Sequence, residues 1–213
     1  EDTMHVDGPE AQPFGVGHRG GEAQRAPGPS NQWAWSCFFP RPYSEVVHTA
    51  AKRDELPAPL IWSIMRQESA FQPEVVSPAR AVGLLQLLPE TAKNVAQRGG
   101  VTFEDGTLTQ PAVNIDLGSR YASMLVKMWK GNIPLAVASY NAGPGRISGL
   151  RRQAAARGLD PNRWFNNVEQ LASEKIGRET VQYVSNIYKY YIAYTLAQQQ
   201  VEKRNAARDA TKT

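Results

Sequence analysis

The sequence predicts a mostly α fold with little or no β structure. Two observations carry that prediction. From Pro42 onward apolar residues recur three and four positions apart, and proline or a capping residue opens several of these runs. A strand pattern is confined to one place, residues 100–108, where a short hairpin fits. At 213 residues, 41% hydrophobic and 21% charged, the chain is long enough for one well-buried domain of ordinary globular composition.

In order, residues 1–39 read as a flexible Gly/Pro-rich tail or linker, 40–200 as the folded domain and 201–213 as a charged C-terminal tail that frays. Gly15, Gly17 and Gly20 match Gly-x-Gly-x-x-Gly, but no strand pattern precedes them and no helix pattern follows, so they are not a nucleotide fingerprint. The aromatic run Trp33 to Phe39 is expected to pack the linker onto the domain, with an exposed partner site as the alternative. Residues 43–51 form one helix. Pro57 and Pro59 open the next, which Pro73 stops. Ser77-Pro78 reads as an N-cap followed by proline at the first helical position, and Pro89 opens a helix that runs to Gly99-Gly100. A long helix spans about 112–130, a short buried one starts at Pro134 and ends at Gly143-Pro144-Gly145, residues 146–157 are helical and basic, and the last helix starts near Arg178.

The chemistry centres on Glu68. Leu60, Ile61, Ile64 and Met65 recur on one helix face, and Glu68 follows Ile64 by four and Met65 by three, which puts it on that stripe. A carboxyl there loses hydration and its pKa rises. A glutamate kept protonated near neutrality is what a general acid must be, although a capped or salt-bridged glutamate is the bland reading. Gln86 is the one polar side chain in Gly83-Leu84-Leu85-Gln86-Leu87-Leu88-Pro89, so it needs partners from backbone or from a ligand amide. Ser139-Tyr140-Asn141-Ala142-Gly143 sets Tyr140 and Asn141 against a glycine turn, where Tyr140 is either core with its hydroxyl bonded or a ligand-holding residue that orients the acid.

These runs, in this order, resemble the catalytic domain of family 1 lytic transglycosylases: Arg66-Gln67-Glu68-Ser69-Ala70-Phe71, Ser77-Pro78, Gly83 to Pro89, and Ser139 to Arg146. Glu179-Thr180-Val181-Gln182-Tyr183-Val184 is similar to the family's Glu-Thr-Arg-x-Tyr-Val segment. The likeness covers about residues 40–195. It implies a goose-type, lysozyme-like helical domain that cleaves the β-1,4 bond between N-acetylmuramic acid and N-acetylglucosamine in peptidoglycan without water, leaving 1,6-anhydromuramic acid ends. Glu68 would be the single catalytic acid and base. Ser77 and Gln86 would contact the muramyl sugar and its acetamido group, Tyr140 would hydrogen-bond near the acid, Asn141 would shape the subsites and Glu179 would line the cleft. The chain departs from the family at Leu85 and Leu88, which stand for methionines, at Ser139 for alanine, at Val181 for arginine, and at Ile176-Gly177 for an Ile-Pro pair.

Ordinary glycosidases use two carboxylates about 5–5.5 Å or about 6.5–9.5 Å apart. No second carboxylate shares the apolar setting of Glu68. Glu90 and Asp116 read as partners of helix dipoles, and Glu179 is the best candidate for a second acid. A one-carboxylate site works where the substrate supplies the nucleophile. The rival readings are a goose-type lysozyme that adds water and a non-catalytic peptidoglycan-binding or assembly module.

Charge and composition limit the other classes. Residues 1–40 carry −3 and the remainder +7, which suits an anionic polymer but comes without the interleaved aromatic and basic residues of a nucleic-acid surface. Cys37 is the only cysteine and the three histidines are scattered, so neither an internal disulfide nor a metal site is expected, and no cofactor. No apolar run reaches the ~18–20 residues of a membrane span. The chain begins at Glu1 without a signal-peptide pattern, so it reads as processed or cut from a longer exported protein of the periplasm or cell envelope, and a lipid anchor on the missing N-terminus fits. Its expected partners are peptidoglycan strands and other cell-wall enzymes, and the expected state is a monomer.

Overall fold

The computed structural model describes residues 32–210, with side chains from residue 34. The expected Gly-rich and Pro-rich runs of residues 1–31 lie outside the described residues. Arg41–Gln198 form one compact unit, and the segments before and after it are grouped as another. In the latter, α1 (Gln32–Phe38) buries Ala34 and Trp35, with Trp35 stacked on Phe39 at 4.8 Å, while Cys37 is exposed.

The larger unit is helical. Its elements are α2 (Ser44–Asp54), α3 (Ala58–Ser69), α4 (Pro89–Gly99), a 3-10 turn (Thr107–Thr109), α5 (Pro111–Met128), α6 (Ile133–Ala142), α7 (Pro144–Ala156), a π turn (Trp164–Val168), α8 (Glu169–Lys175) and residues 178–198 of α9 (Arg178–Ala210). Proline stands at the first or second position of α3, α4, α5, α6 and α7, where its missing N–H costs no helical bond. Gly143-Pro144 therefore does two jobs: it ends α6 and immediately starts α7. The side chain of Asn132 caps α6 by accepting the Leu135 N–H at 3.2 Å.

Helix α5 is the hub and packs against α2, α4 and α6, while α6 packs on α7. Arg53 of α2 ties to Asp116 of α5, which also accepts from Arg120 one turn on, so Asp116 serves as a structural ion pair. Helix α3 goes further than its predicted one-sided stripe. Every residue from Ala58 to Met65 is buried, and Ser63, wholly enclosed, returns its hydroxyl to Pro59 O at 2.6 Å. Only the last turn, Arg66 to Glu68, reaches the surface, and that places the acid at the edge of the core.

Three expectations are corrected. Residues 100–108 hold no hairpin: they are loop and 3-10 turn, and the described antiparallel bridges join Val76 to Val82 and Val82 to Leu87 instead. Ser77-Pro78 heads a turn and no helix. The Ser77 hydroxyl accepts the Ala81 N–H at 3.0 Å, and Arg80 turns left-handed at φ 66°, which stops helical propagation. Residues 201–210, expected to fray, continue α9, because Glu, Lys, Arg and Ala favour helix and no breaker intervenes.

Candidate active site

The last turn of α3 sets Glu68 against the N-terminal part of α9. Tyr183 is buried, and its hydroxyl donates to Glu68 Oε1 at 2.5 Å. Burial pushes the Glu68 carboxyl up to about 7, and the tyrosine hydrogen bond, which favours the carboxylate, offsets part of that rise. No second carboxylate contributes to the shift. Burial, then the charge of Glu68, pushes the Tyr183 and Tyr140 hydroxyls well above their ordinary value, so both remain proton donors.

Directly after Glu68 the backbone turns sharply. Ala70 and Phe71 are both left-handed, at φ 48° and 67°, a conformation that side chains disfavour. The turn is held by the neighbour of the acid: the Ser69 hydroxyl reaches Met65 O at 3.1 Å and Leu84 O at 2.9 Å. This second bond ties the acid-bearing helix to the loop 75–87.

That loop carries Ser77 and Gln86. Gln86 is itself left-handed at φ 45°, and its amide nitrogen donates to Val75 O at 3.0 Å and Gly83 O at 2.9 Å. Both N–H bonds are thus spent on the loop's own backbone. Both partners are backbone, the first of the two sources that the sequence left open. Ser77 is half-buried at the loop's turn, with Val76 exposed beside it.

Tyr140, at the end of α6, donates its hydroxyl to Leu85 O at 2.8 Å, and its ring lies 5.1 Å from that of Tyr121. It therefore bonds beside the acid, on the loop, while the bond to the acid itself belongs to Tyr183. Asn141 accepts from the Thr180 hydroxyl at 2.8 Å and so joins α6 to α9. Glu179 is exposed in the first turn of α9 and makes no hydrogen bond to Glu68. The structure gathers Glu68, Tyr140 and Tyr183 around one carboxyl, with Gln86 and Ser77 on the adjoining loop. Sequence reasoning missed the Tyr183 bond. Tyr183 falls on the buried stripe with Thr180, Val184 and Ile187, spaced three and four apart, but that stripe names no partner for its hydroxyl.

Such a helical domain, holding one protonatable glutamate beside a tyrosine hydroxyl, has the lysozyme-like fold of lytic transglycosylase structures. Residues 45–162 match the Transglycosylase SLT domain, and the chain belongs to that family. The soluble lytic murein transglycosylase of Escherichia coli (strain K12) is 30% identical over 158 residues, covering 73% of this chain and 23% of that protein. Membrane-bound lytic murein transglycosylase C of Haemophilus ducreyi is 33% identical over 150 residues, 65% of this chain and 39% of that one. Among solved structures, an inactive glutamate-to-glutamine mutant of the lytic transglycosylase Slt from Pseudomonas aeruginosa superposes with a TM-score of 0.64 at 32% identity, covering 78% of this chain and 26% of that one. The chain spans about a quarter of the length of the Escherichia coli and Pseudomonas aeruginosa proteins.

Proposed function

We propose that this chain is the catalytic part of a peptidoglycan lytic transglycosylase, with Glu68 as its single general acid and base. The observation that carries the reading is one half-buried carboxyl poised at about 7, bonded to Tyr183 and perturbed by no second carboxylate. Two-carboxylate hydrolysis needs a partner acid across the scissile bond. A lone carboxyl suits a reaction in which the substrate supplies the nucleophile.

In this reading protonated Glu68 gives its proton to the glycosidic oxygen, and the bond to C1 of N-acetylmuramic acid breaks. The 2-acetamido group stabilises the cation-like carbon. Glu68, now a carboxylate steadied by Tyr183, takes the proton of the sugar's own 6-hydroxyl as that oxygen bonds to C1. The 1,6-anhydro ring closes, Glu68 recovers its proton and no water is consumed. Gln86 would accept the acetamido N–H through its amide oxygen. Ser77, Tyr140, Asn141 and Glu179 would line the strand-binding surface. Among the described residues no helix is long and apolar enough to cross a membrane, and no group of three or more His, Cys, Asp or Glu is placed to hold a metal. Because peptidoglycan lies outside the cytoplasmic membrane, the reading places the protein in the periplasm or envelope.

Mass spectrometry of the fragments released from purified peptidoglycan in H2(18)O tests it. Ends of 1,6-anhydromuramic acid without heavy oxygen are expected, and Glu68→Gln should lower their release by about 10³-fold or more. Reducing ends that carry heavy oxygen would instead make the protein a lysozyme, and sacculi bound but uncut would make it a binding module.

A further inference from the structure

We infer that Asn114, enclosed on α5, is a positioning residue that clamps the loop bearing Gln86 in register with Glu68. Asn114 is wholly buried. Its Oδ1 accepts the Leu85 N–H at 2.8 Å, and its Nδ2 donates to Val82 O at 2.9 Å and to Leu108 O at 2.8 Å. One amide thus engages both its donors and an acceptor, all with backbone. Aspartate supplies no such pair of donors, an apolar residue offers neither kind of group, and glutamine is one methylene too long. Of the residues bonded to Asn114, Val82 directly precedes the left-handed Gly83 and Leu85 directly precedes the left-handed Gln86.

Two glycines let the loop come this close. A Cβ on Gly83 would stand 2.4 Å from Asn114 Nδ2 and 2.5 Å from Leu108 O, and one on Gly118, a turn along α5, would stand 2.3 Å from Leu85 Cδ1. The same loop is gripped from two other sides, by Ser69 on Leu84 O and by Tyr140 on Leu85 O. Those two residues adjoin the acid or its surroundings. Asn114 holds the loop by hydrogen bonds from α5, beside the buried Leu84, Leu85 and Leu87, so its loss loosens Gln86 relative to Glu68 without touching the Glu68–Tyr183 bond. The inference rests on the transglycosylase reading for the part that assigns Gln86 to sugar binding.

Asn114→Ala and Asn114→Ser, assayed on purified N-acetylglucosamine–N-acetylmuramic acid oligomers below their melting temperatures, test the clamp. For Asn114→Ala, KM should rise about tenfold while kcat changes by less than about threefold, because the lost order affects binding more than the acid. The alkaline limb set by Glu68 should stay in place, and hydrogen exchange at the Leu85 amide should accelerate. Asn114→Ser, whose hydroxyl is too short to serve all three partners and carries no charge, should raise KM in the same direction, and it carries the test where Ala fails to fold. A folded variant with KM within twofold of wild type, or a loss confined to kcat, overturns the inference. Wild-type protein that cleaves nothing overturns the transglycosylase reading instead, and the Leu85 exchange rate and the dissociation constant of the oligomers then still decide the clamp.

Discussion

At Glu68, position and chemistry make one statement about pH. In the unfolded chain the carboxyl ionises near its ordinary 4.5, and in the fold at about 7. Between those values the folded state holds the extra proton, so its stabilising effect is fully present below 4.5 and is lost as pH rises through 7. The group is half-buried, so screening reduces the loss to about 1–3 kcal/mol. Glu68→Gln should therefore raise the melting temperature more at pH 8 than at pH 5; equal shifts would mean that the carboxyl does not hold its proton. The Tyr183 bond favours the carboxylate, so Tyr183→Phe should move the alkaline limb of kcat/KM upward while lowering its height, and a limb that stays put would remove Tyr183 from the acid. The place of Glu68 was legible because its neighbours Ile64 and Met65 lie within one turn. The Tyr183 partnership was not, because 115 residues separate the two and tyrosines crowd α9, so no local pattern selects one of them.

At the scale of elements, helices were legible and the site loop was not. Helices advertise themselves through periodicity and proline starts, which depend on near neighbours alone. The loop 75–87 owes its shape to bonds from α3, α5 and α6, and its left-handed Arg80 and Gln86 are residues that no propensity assigns there. Hence Ser77-Pro78 imitated a helix start and the bridges fell before Pro89 rather than at 100–108. Gly83 is where this loop is least tolerant. Its φ of +78° disfavours any side chain, and the methyl of Gly83→Ala would meet Leu108 O, a backbone atom that cannot rotate away. The substitution should cost about 2–4 kcal/mol in urea unfolding, more than φ strain alone. A cost below about 1 kcal/mol would show that the loop can lift off α5, which would also loosen the argument for the clamp.

For the whole molecule, the decisive property is that every contact described around Glu68 comes from within Arg41–Gln198. The acid, its tyrosine, the loop, α5 and α6 all belong to that one compact unit. We propose, accordingly, that the division read from the sequence, a tail before about residue 40 and another after about 200, separates dispensable from essential chain. A fragment of residues 41–198 keeps all of α3 and the α2–α5 and α6–α7 pairings, so its core should survive without the ends. It should melt cooperatively by circular dichroism and release anhydromuropeptides with kcat/KM within about threefold of the 213-residue chain. A fragment that folds yet loses binding to sacculi while still cutting soluble oligomers would assign the ends to polymer capture. A fragment that does not fold would mean that the removed ends are needed for the core, and the unit that carries the chemistry would have to be drawn larger.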